Sequence, residues 1–420
     1  MNHVWLAGGI FIITFALIVS EKIDRTITAL LGGLAMIIFH IVSQEQAFHS
    51  VDWNVIFLLA GMMVIANILK DTGLFQWIAM QAVRLGKGDP MRILIILSLI
   101  TAVTSALLDN VTIVVLIAPV TLFIASTLGL SPVPFLIAEV LASNIGGMAT
   151  LVGDPPNILI GSAAKIDFLT FLANMGPISF IITIVFIGMI LIMFKKDLQQ
   201  TKEEEIDLSS LDTASLITDH VLLRKALIVM LFVTIGFLGH GALHLQPATI
   251  ALTGATLLML WGNSDPHKMF REIEWTTLFF FIGLFIAVEA IVEIGIIESI
   301  AEQVLALTQG KIEIASMLLI WFSAFTSGIV DNIPYTATMI PLVERMGEVM
   351  PLSVLWWSLA LGACLGGNLT LVGAAANIIV ANLAEKGGHK ITFWTFFKYG
   401  APVTLMSLTL SSIYVWVRYL

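Results

Sequence analysis

The stretch SALLDNVTIVV, Ser105 to Val115, places a carboxylate and an amide, Asp109 and Asn110, inside an apolar run. Only Ser105, Asp109, Asn110 and Thr112 in it are polar. In a spanning helix, an acid at the bilayer centre costs about 2.5–3.5 kcal/mol on insertion scales, and such residues face a cavity or the bundle interior. Irregular backbone at that depth is tolerated only where it is buried in protein or lines water. The surrounding segment, 91–129, therefore reads as a helical hairpin or broken helix with LLDNV as its turn. Segment 312–343 reads as the same device, with GIVDNIPY as its turn. There Pro334 removes an N–H from the helical ladder.

Composition supplies the membrane. Of 420 residues, 58% are hydrophobic and only 12% charged, where a soluble domain carries about 25% charged residues. A mean hydropathy of +0.99 requires several spans. The net charge of −9 comes mostly from one linker and a few loops, and no basic stripe offers itself to nucleic acid. The single cysteine, Cys364, excludes an internal disulfide and a cysteine-built metal site. Met1–Ser20 lacks a basic leader region and a small-residue cleavage site, so it reads as a first span.

Candidate spans are 4–20, 26–43, 54–70, 135–163 (interrupted), 173–194, 222–239, 247–262, 275–292, 354–383 (interrupted) and 397–418. The fold predicted is an all-α polytopic membrane protein with about ten transmembrane helices plus two helical hairpins and broken helices. The two halves repeat. VDWNVIFLLAGMMVIANILKDTG from Val51 matches IEWTTLFFFIGLFIAVEAIVEIG from Ile273, an offset of 222. Asp109-Asn110 plus 222 lands on Asp331-Asn332, and Pro119 on Pro341. GGMATLVGDPPNI from Gly146 matches GGNLTLVGAAANI from Gly366, an offset of 220. The expected organisation is a first repeat over 1–196, a polar cytoplasmic linker over 197–220, and a second repeat over 221–420.

Five crossings per half would invert the second repeat. Parity does not separate a re-entrant Asp-Asn segment from two full crossings. With both termini outside and the linker cytoplasmic, sixteen of the twenty Lys and Arg residues fall on the cytoplasmic side; Lys165, Lys311, Arg345 and Arg418 fall outside. The expected location is the cell (inner) membrane. Inverted repeats and paired helix interruptions are the marks of secondary transporters, with the site at the repeat interface.

The candidate substrate- or ion-binding residues are Asp109, Asn110, Asn144, Thr150, Asp154, Asn157, Asp331, Asn332, Thr370 and Asn377. Ser143 and Asn368 can add oxygens and amides there. Candidate proton carriers are Asp109, Asp154, Asp331 and Glu139, with Glu289 weighed beside them. The alternative for Asp109 and Asp331 is that they cap the helices that follow. Asp154-Pro155-Pro156 becomes Ala374-Ala375-Ala376 in the second half, so the first half holds the extra acid. His240 and His244 have the spacing of a metal pair but no evident third ligand, and no metal site is assigned. GLFQWIAMQAVRLGKG, Gly73 to Gly88, reads as an interfacial amphipathic helix. No phosphate loop, GxSxG or HExxH is present, which speaks against a nucleotide-driven pump and a membrane hydrolase. No enzyme activity and no cofactor beyond a proton or sodium gradient is expected.

The motifs LLDNVTIVVLIAPVT, EVLASNIGGMATLVGDPPNILIGSA, VDNIPYTATMIP and GGNLTLVGAAANI resemble those of the ArsB/NhaD permeases of the ion transporter superfamily, nearest the branch of the melanosomal P protein. The resemblance implies a scaffold part and a transport part in each half, alternating access of elevator or rocking type, a homodimer and an accessory ATPase subunit. It covers arsenite and antimonite efflux carriers, sodium/proton antiporters and organic-anion carriers. The deep polar set holds three acids and neither Lys nor Arg. That set favours arsenite or antimonite efflux by proton antiport, since arsenite near neutral pH is the uncharged As(OH)₃. Sodium/proton antiport and proton- or sodium-coupled carriage of a small organic anion are the alternatives. A channel, conducting without gradient coupling, is the reading from another class.

Overall fold

The structure is a computed structural model that describes residues 2–20, 22–198 and 216–420. Most of the linker read over 197–220 lies outside the described residues. The first half runs α1 (Asn2–Ser20), α2 (Arg25–Ile38), α3 (Gln44–His49), α4 (Trp53–Asp71), α5 (Leu74–Gly86), α6 (Pro90–Ser105), α7 (Asn110–Thr127), α8 (Val133–Gly147), α9 (Pro155–Ala163), α10 (Phe168–Met193) and the short α11 (Lys195–Leu198). The second runs α12 (His220–Leu243), α13 (Pro247–Gly262), α14 (Pro266–Arg271), α15 (Trp275–Glu293), α16 (Ile296–Thr308), α17 (Ile312–Val330), α18 (Asn332–Met346), α19 (Leu352–Gly366), α20 (Ala375–Lys386) and α21 (Phe393–Tyr419). The fold is all-helical, and eight of these helices are long and apolar enough to cross a bilayer.

Local chemistry sets the helix starts. Asp24, Asp52, Asp89, Asp167, Asp219 and Asp265 each accept backbone N–H groups at the head of α2, α4, α6, α10, α12 and α14. Such a cap stabilises a helix by about 1 kcal/mol, because it satisfies donors that the helix leaves unpaired. The surface is apolar where lipid would lie: Ile12, Phe180, Ile192, Phe232, Leu260 and Val417 are all largely exposed. In water such a surface would be unsustainable.

The repeat is visible in the packing. α2 lies along α15 and α4 along α13, so each half is clamped to the other. The two clamps are twins. A Cβ on Gly61 would stand 2.8 Å from the Ala251 carbonyl carbon, and one on Gly283 2.5 Å from that of Ala29. Adding 222 to Gly61 and Ala29 gives Gly283 and Ala251. Small residues let the backbones close to this distance. Likewise α5 plus 222 gives the bounds of α16, and α5 buries Phe75, Ala79, Met80 and Val83 on one face as the amphipathic reading of Gly73–Gly88 requires.

The structure settles how the Asp-Asn segments run. α6 and α8 are parallel neighbours: Gly146 meets Ala102 and Thr150 meets Ala106. α7 is antiparallel to α8: Asn110 bonds Asn144, and Thr121 bonds Glu139. So α6 starts, and α7 ends, beside the start of α8, and the segment returns to the side it entered. The second half repeats this, with Gly362 against Ile320 and Gly366 against Ala324 placing α19 parallel to α17. α6 has 16 residues, or about 24 Å, short of the roughly 30 Å hydrocarbon core, whereas α7 and α17 of the same hairpins are among the eight helices long enough to cross; both tips nevertheless stop beside the breaks rather than beyond them. α8 and α9 are broken at 148–154, where glycines and Pro155-Pro156 predict interruption, and α19 and α20 at 367–374, where the matching glycines do.

Candidate transport site

Each hairpin tip is fastened to the helix break of its own half. Asn110 N–H donates to Gly153 O at 3.1 Å, and its twin Asn332 N–H to Gly373 O at 3.2 Å. Thr150 Oγ1 donates to Ala106 O at 2.6 Å, and Thr370 Oγ1 to Gly328 O at 2.5 Å. Asn157 Nδ2 donates to Thr150 O at 2.9 Å and Gly147 O at 3.2 Å; Asn377 Nδ2 donates to Thr370 O at 2.9 Å and Gly367 O at 2.7 Å. These bonds satisfy backbone carbonyls that unwinding would otherwise strand in the bilayer interior. Thr150, Thr370, Asn157 and Asn377 thus hold the breaks open in a fixed shape.

Between the two breaks lies one buried polar network. Asp154 Oδ1 accepts from Asn110 Nδ2 at 3.0 Å and from Asn332 Nδ2 at 3.4 Å, so it is held by both hairpin tips. Asn144 Oδ1 accepts from Asn110 Nδ2 at 3.1 Å. Asn144 Nδ2 crosses to the other repeat, donating to Asn368 Oδ1 at 2.9 Å and Asn377 Oδ1 at 3.2 Å. Cys364 Sγ lies 3.1 Å from Asn157 Oδ1. Asp154, Asn144, Asn157, Asn368, Asn377 and Cys364 have no solvent exposure at all. Asn110 Oδ1 is buried and makes no hydrogen bond among the described residues. A carboxylate beside an orphaned amide oxygen is an oxygen-rich donor set for a hard cation or a proton.

Asp109 and Asp331 sit at the edge of this network, and the other predicted residues lie apart from it. Asp109 caps α7, accepting from Thr112 N–H at 2.9 Å and Thr112 Oγ1 at 2.5 Å. Asp331 caps α18 through Ile333 N–H at 3.0 Å and pairs with Arg25 Nη1 at 3.3 Å. The capping geometry weighed for both acids is present in both. Glu139 is buried on α8, bonded by Thr121 Oγ1 at 2.5 Å and separate from the Asp154 network. Glu289 lies half-buried on α15. His240 spends both ring nitrogens on backbone: Phe168 N–H donates to Nε2 at 2.9 Å, and Nδ1 lies 3.1 Å from Leu245 O. Two participants escape a reading by motif. Cys364 is the twin of Asn144, since 144 plus 220 is 364, and that offset was the available signal. Arg25 reads as a loop cation at the end of a span, and no sequence feature places it against Asp331.

Two repeats that meet hairpin to hairpin around a buried acid, in an all-helical lipid-facing fold, define a membrane transporter. The sequence profile described as Citrate transporter (CitMHS) matches residues 15–362. This chain belongs to that family. It is 42% identical to the "46 kDa membrane protein" of Mycobacterium leprae over 99% of both chains. It is 33% identical to the human P protein over its whole length, which is 60% of that protein; the P protein was the branch the motifs suggested. The crystal structure of the Alcanivorax borkumensis YdaH transporter shares the fold, with a TM-score of 0.59 over 91% of this chain and 88% of that one, at 15% identity.

Proposed function

We propose that this protein is a secondary active transporter that couples a proton or sodium ion, held at Asp154, to the movement of a small organic anion. The observation that carries the coupling half is that Asn110 and Asn332, one from each hairpin, bond the same buried carboxylate. A cation arriving there would neutralise the acid and change how both hairpins are held, which ties ion occupancy to the hairpins' movement. The substrate half follows from membership in the citrate transporter family. The three acids of the deep polar set favour arsenite, and that membership moves the organic anion ahead of it.

Arsenite or antimonite efflux by proton antiport is the second reading. It is favoured by the amide-rich network, which suits an uncharged hydrogen-bonding solute, and the narrower ArsB/NhaD relationship, the homodimer and the accessory ATPase go with it. Sodium/proton antiport without a further solute is the third. The clamped helices α2, α4, α13 and α15 are the natural scaffold, and the hairpins with the broken helices the moving part, in an elevator or rocking cycle. The distribution of Lys and Arg supports an inner-membrane orientation with both termini outside and the linker cytoplasmic.

The test is transport in everted membrane vesicles loaded with a pH-sensitive dye, adding citrate, arsenite and sodium in turn. Uptake of labelled citrate that collapses with the sodium or proton gradient supports the proposal. A gradient-linked signal with arsenite alone replaces it with the efflux reading, and one with sodium alone with the antiporter.

A further inference from the structure

One buried acid takes no part in the network around Asp154. Glu139 on α8 is 2% exposed, and its one hydrogen-bond partner among the described residues is Thr121 on α7, whose Oγ1 donates at 2.5 Å. An ionised carboxylate enclosed with a single hydroxyl is costly, and taking up a proton removes that cost. The second repeat shows that the fold does not require such a pair. Thr121 plus 222 is Val343, and Glu139 plus 220 is Leu359. Both twins are fully buried, so the second repeat fills the same place with hydrocarbon. A third position follows them. Ser98 on α6 is buried with its Oγ making no hydrogen bond among the described residues, and Ser98 plus 222 is Ile320. Ile320 meets Gly362, the twin of Ala142, which puts Ser98 level with a point one turn along α8 from Glu139. Only the first repeat carries this polar seam.

The course of α8 sets the depth of the acid. Glu139 lies about 9 Å along the axis from Val133, at the start of the helix, and about 7.5 Å short of Asn144, where the Asp154 network begins. Water is close on the side of the start. A Cβ on Gly387, an exposed residue just beyond α20, would stand 3.2 Å from Leu122 Cδ2, so the exposed end of α20 reaches the residue next to Thr121. Of the helices packed against α8, α7 and α10 hold no titratable group and α19 holds Cys364. α6 has Arg92 at its start, α20 has Glu385 and Lys386 at its end, and α21 has Lys398, Tyr399, Tyr414, Arg418 and Tyr419. None of these bonds Glu139, so its state is set by burial, by Thr121 and by the proton it holds.

We propose that Glu139 is a proton-binding site separate from Asp154, loaded and emptied from the membrane face where α8 starts. The inference rests on the reading of the protein as a cation-coupled carrier and deepens it, adding a proton in the first repeat to the ion at Asp154. On release the Glu139 O–H bond breaks, the proton passes to water near the end of α20, and Thr121 Oγ1 donates to the carboxylate left behind. On loading the O–H bond forms again and the charge is gone. Thr121 stands on the returning leg of the first hairpin, so the state of Glu139 sets how that leg is held against α8. The second hairpin, with Val343 and Leu359 in these places, has no such control.

The test is an infrared pH titration of the purified protein in proteoliposomes, beside uptake of radiolabelled citrate driven by an imposed proton gradient. Glu139→Gln, Glu139→Asp and the double variant Glu139→Leu with Thr121→Val, which installs the pair of the second repeat, are compared with wild type. Expected is a buried-carboxyl C=O band that fades as the pH rises in wild type and is missing from Glu139→Gln at every pH. Proton-driven uptake should fall at least about tenfold in Glu139→Gln and in the double variant, with part of it restored in Glu139→Asp, and the double variant should melt with wild type. A Glu139 band that persists unchanged through the titration overturns the inference, since the carboxyl is then a fixed structural donor. Proton-driven uptake by Glu139→Gln equal to wild type overturns it as well. No citrate uptake by wild type overturns the anion reading alone, and the infrared titration then decides Glu139 by itself.

Discussion

Asn110 and Asn332 occupy matching places on the two hairpins, 222 residues apart, and both amides point at one carboxylate, Asp154, at 3.0 and 3.4 Å. The duplicated fold is symmetric in its backbone bonds and asymmetric here, because the second half has Ala374 where the first has Asp154. Two hairpins with one shared acid have a common switch, which two independent acids would not supply.

Asp154→Asn keeps the size of the side chain and removes its charge. The expected outcome is gradient-driven uptake reduced at least about tenfold with the fold retained, as for loss of a group that acts through its charge. Uptake in proteoliposomes with and without an imposed gradient checks it, and gradient-stimulated uptake equal to wild type would remove Asp154 from the coupling mechanism.

Gly146→Ala should destabilise strongly. A Cβ there would stand 2.0 Å from the Ala102 carbonyl oxygen, so α6 and α8 must separate. Overpacking of this kind costs typically 1–3 kcal/mol, occasionally more. Gly188→Ala meets nothing within 4 Å and is the control. Melting temperatures in detergent should fall by several degrees for the first and hold for the second.

For Asp109 the capping bonds to Thr112 predict tolerance of any residue that can cap. Asp109→Ser should retain stability and transport, whereas Asp109→Ala should lose about 1 kcal/mol of stability. Thermal melts paired with uptake rates separate this from a proton-carrying role, in which Asp109→Ser would abolish transport at unchanged stability.

Cys364 is fully buried with its thiol 3.1 Å from Asn157 Oδ1. Cys364→Ser keeps a donor at that place and should preserve uptake. Cys364→Ala leaves the amide oxygen short of a partner, a loss of about 1–3 kcal/mol. Maleimide should fail to label the native wild-type protein and label it once it is unfolded in detergent.

Orientation is open to the same reagent. In a Cys364→Ser background, a cysteine at His244 should be labelled by a membrane-impermeant maleimide in intact cells, and one at His267 only in everted vesicles. Both positions are exposed in the fold. The reverse pattern would invert the proposed topology.

Much of the architecture was legible along the chain. Apolar length announced most of the spans, although the segments read at 26–43 and 247–262 became the 14- and 16-residue helices α2 and α13, shorter than a full crossing; Asp-Asn within apolar runs announced the hairpins, and glycines and prolines at 146–156 and glycines at 366–373 announced the breaks. The offset of 222 became the twin clamps Gly61–Ala251 and Gly283–Ala29. Re-entrance was not legible, because a returning hairpin and a double crossing have the same parity; what bears on it is the depth of the tips, which are bonded to the helix breaks part-way along the α8–α9 and α19–α20 spans. Of the residues in the buried polar network, the amides were among those named from the motifs and Cys364 was not, although its relation to Asn144 was in the same offset.

Membrane insertion, the duplication, the irregular segments and most spans can be read along the chain, since hydrophobic length, helix breaking and repeat register are properties of neighbouring residues or of one shift applied throughout. Only the tertiary structure decided that Asn332 shares Asp154, 178 positions away, and that Arg25 faces Asp331, 306 positions away. Such contacts follow from how the two halves pack, and a polar side chain's distant partner leaves no periodic mark in the chain, because it is chosen by shape and desolvation in the folded state.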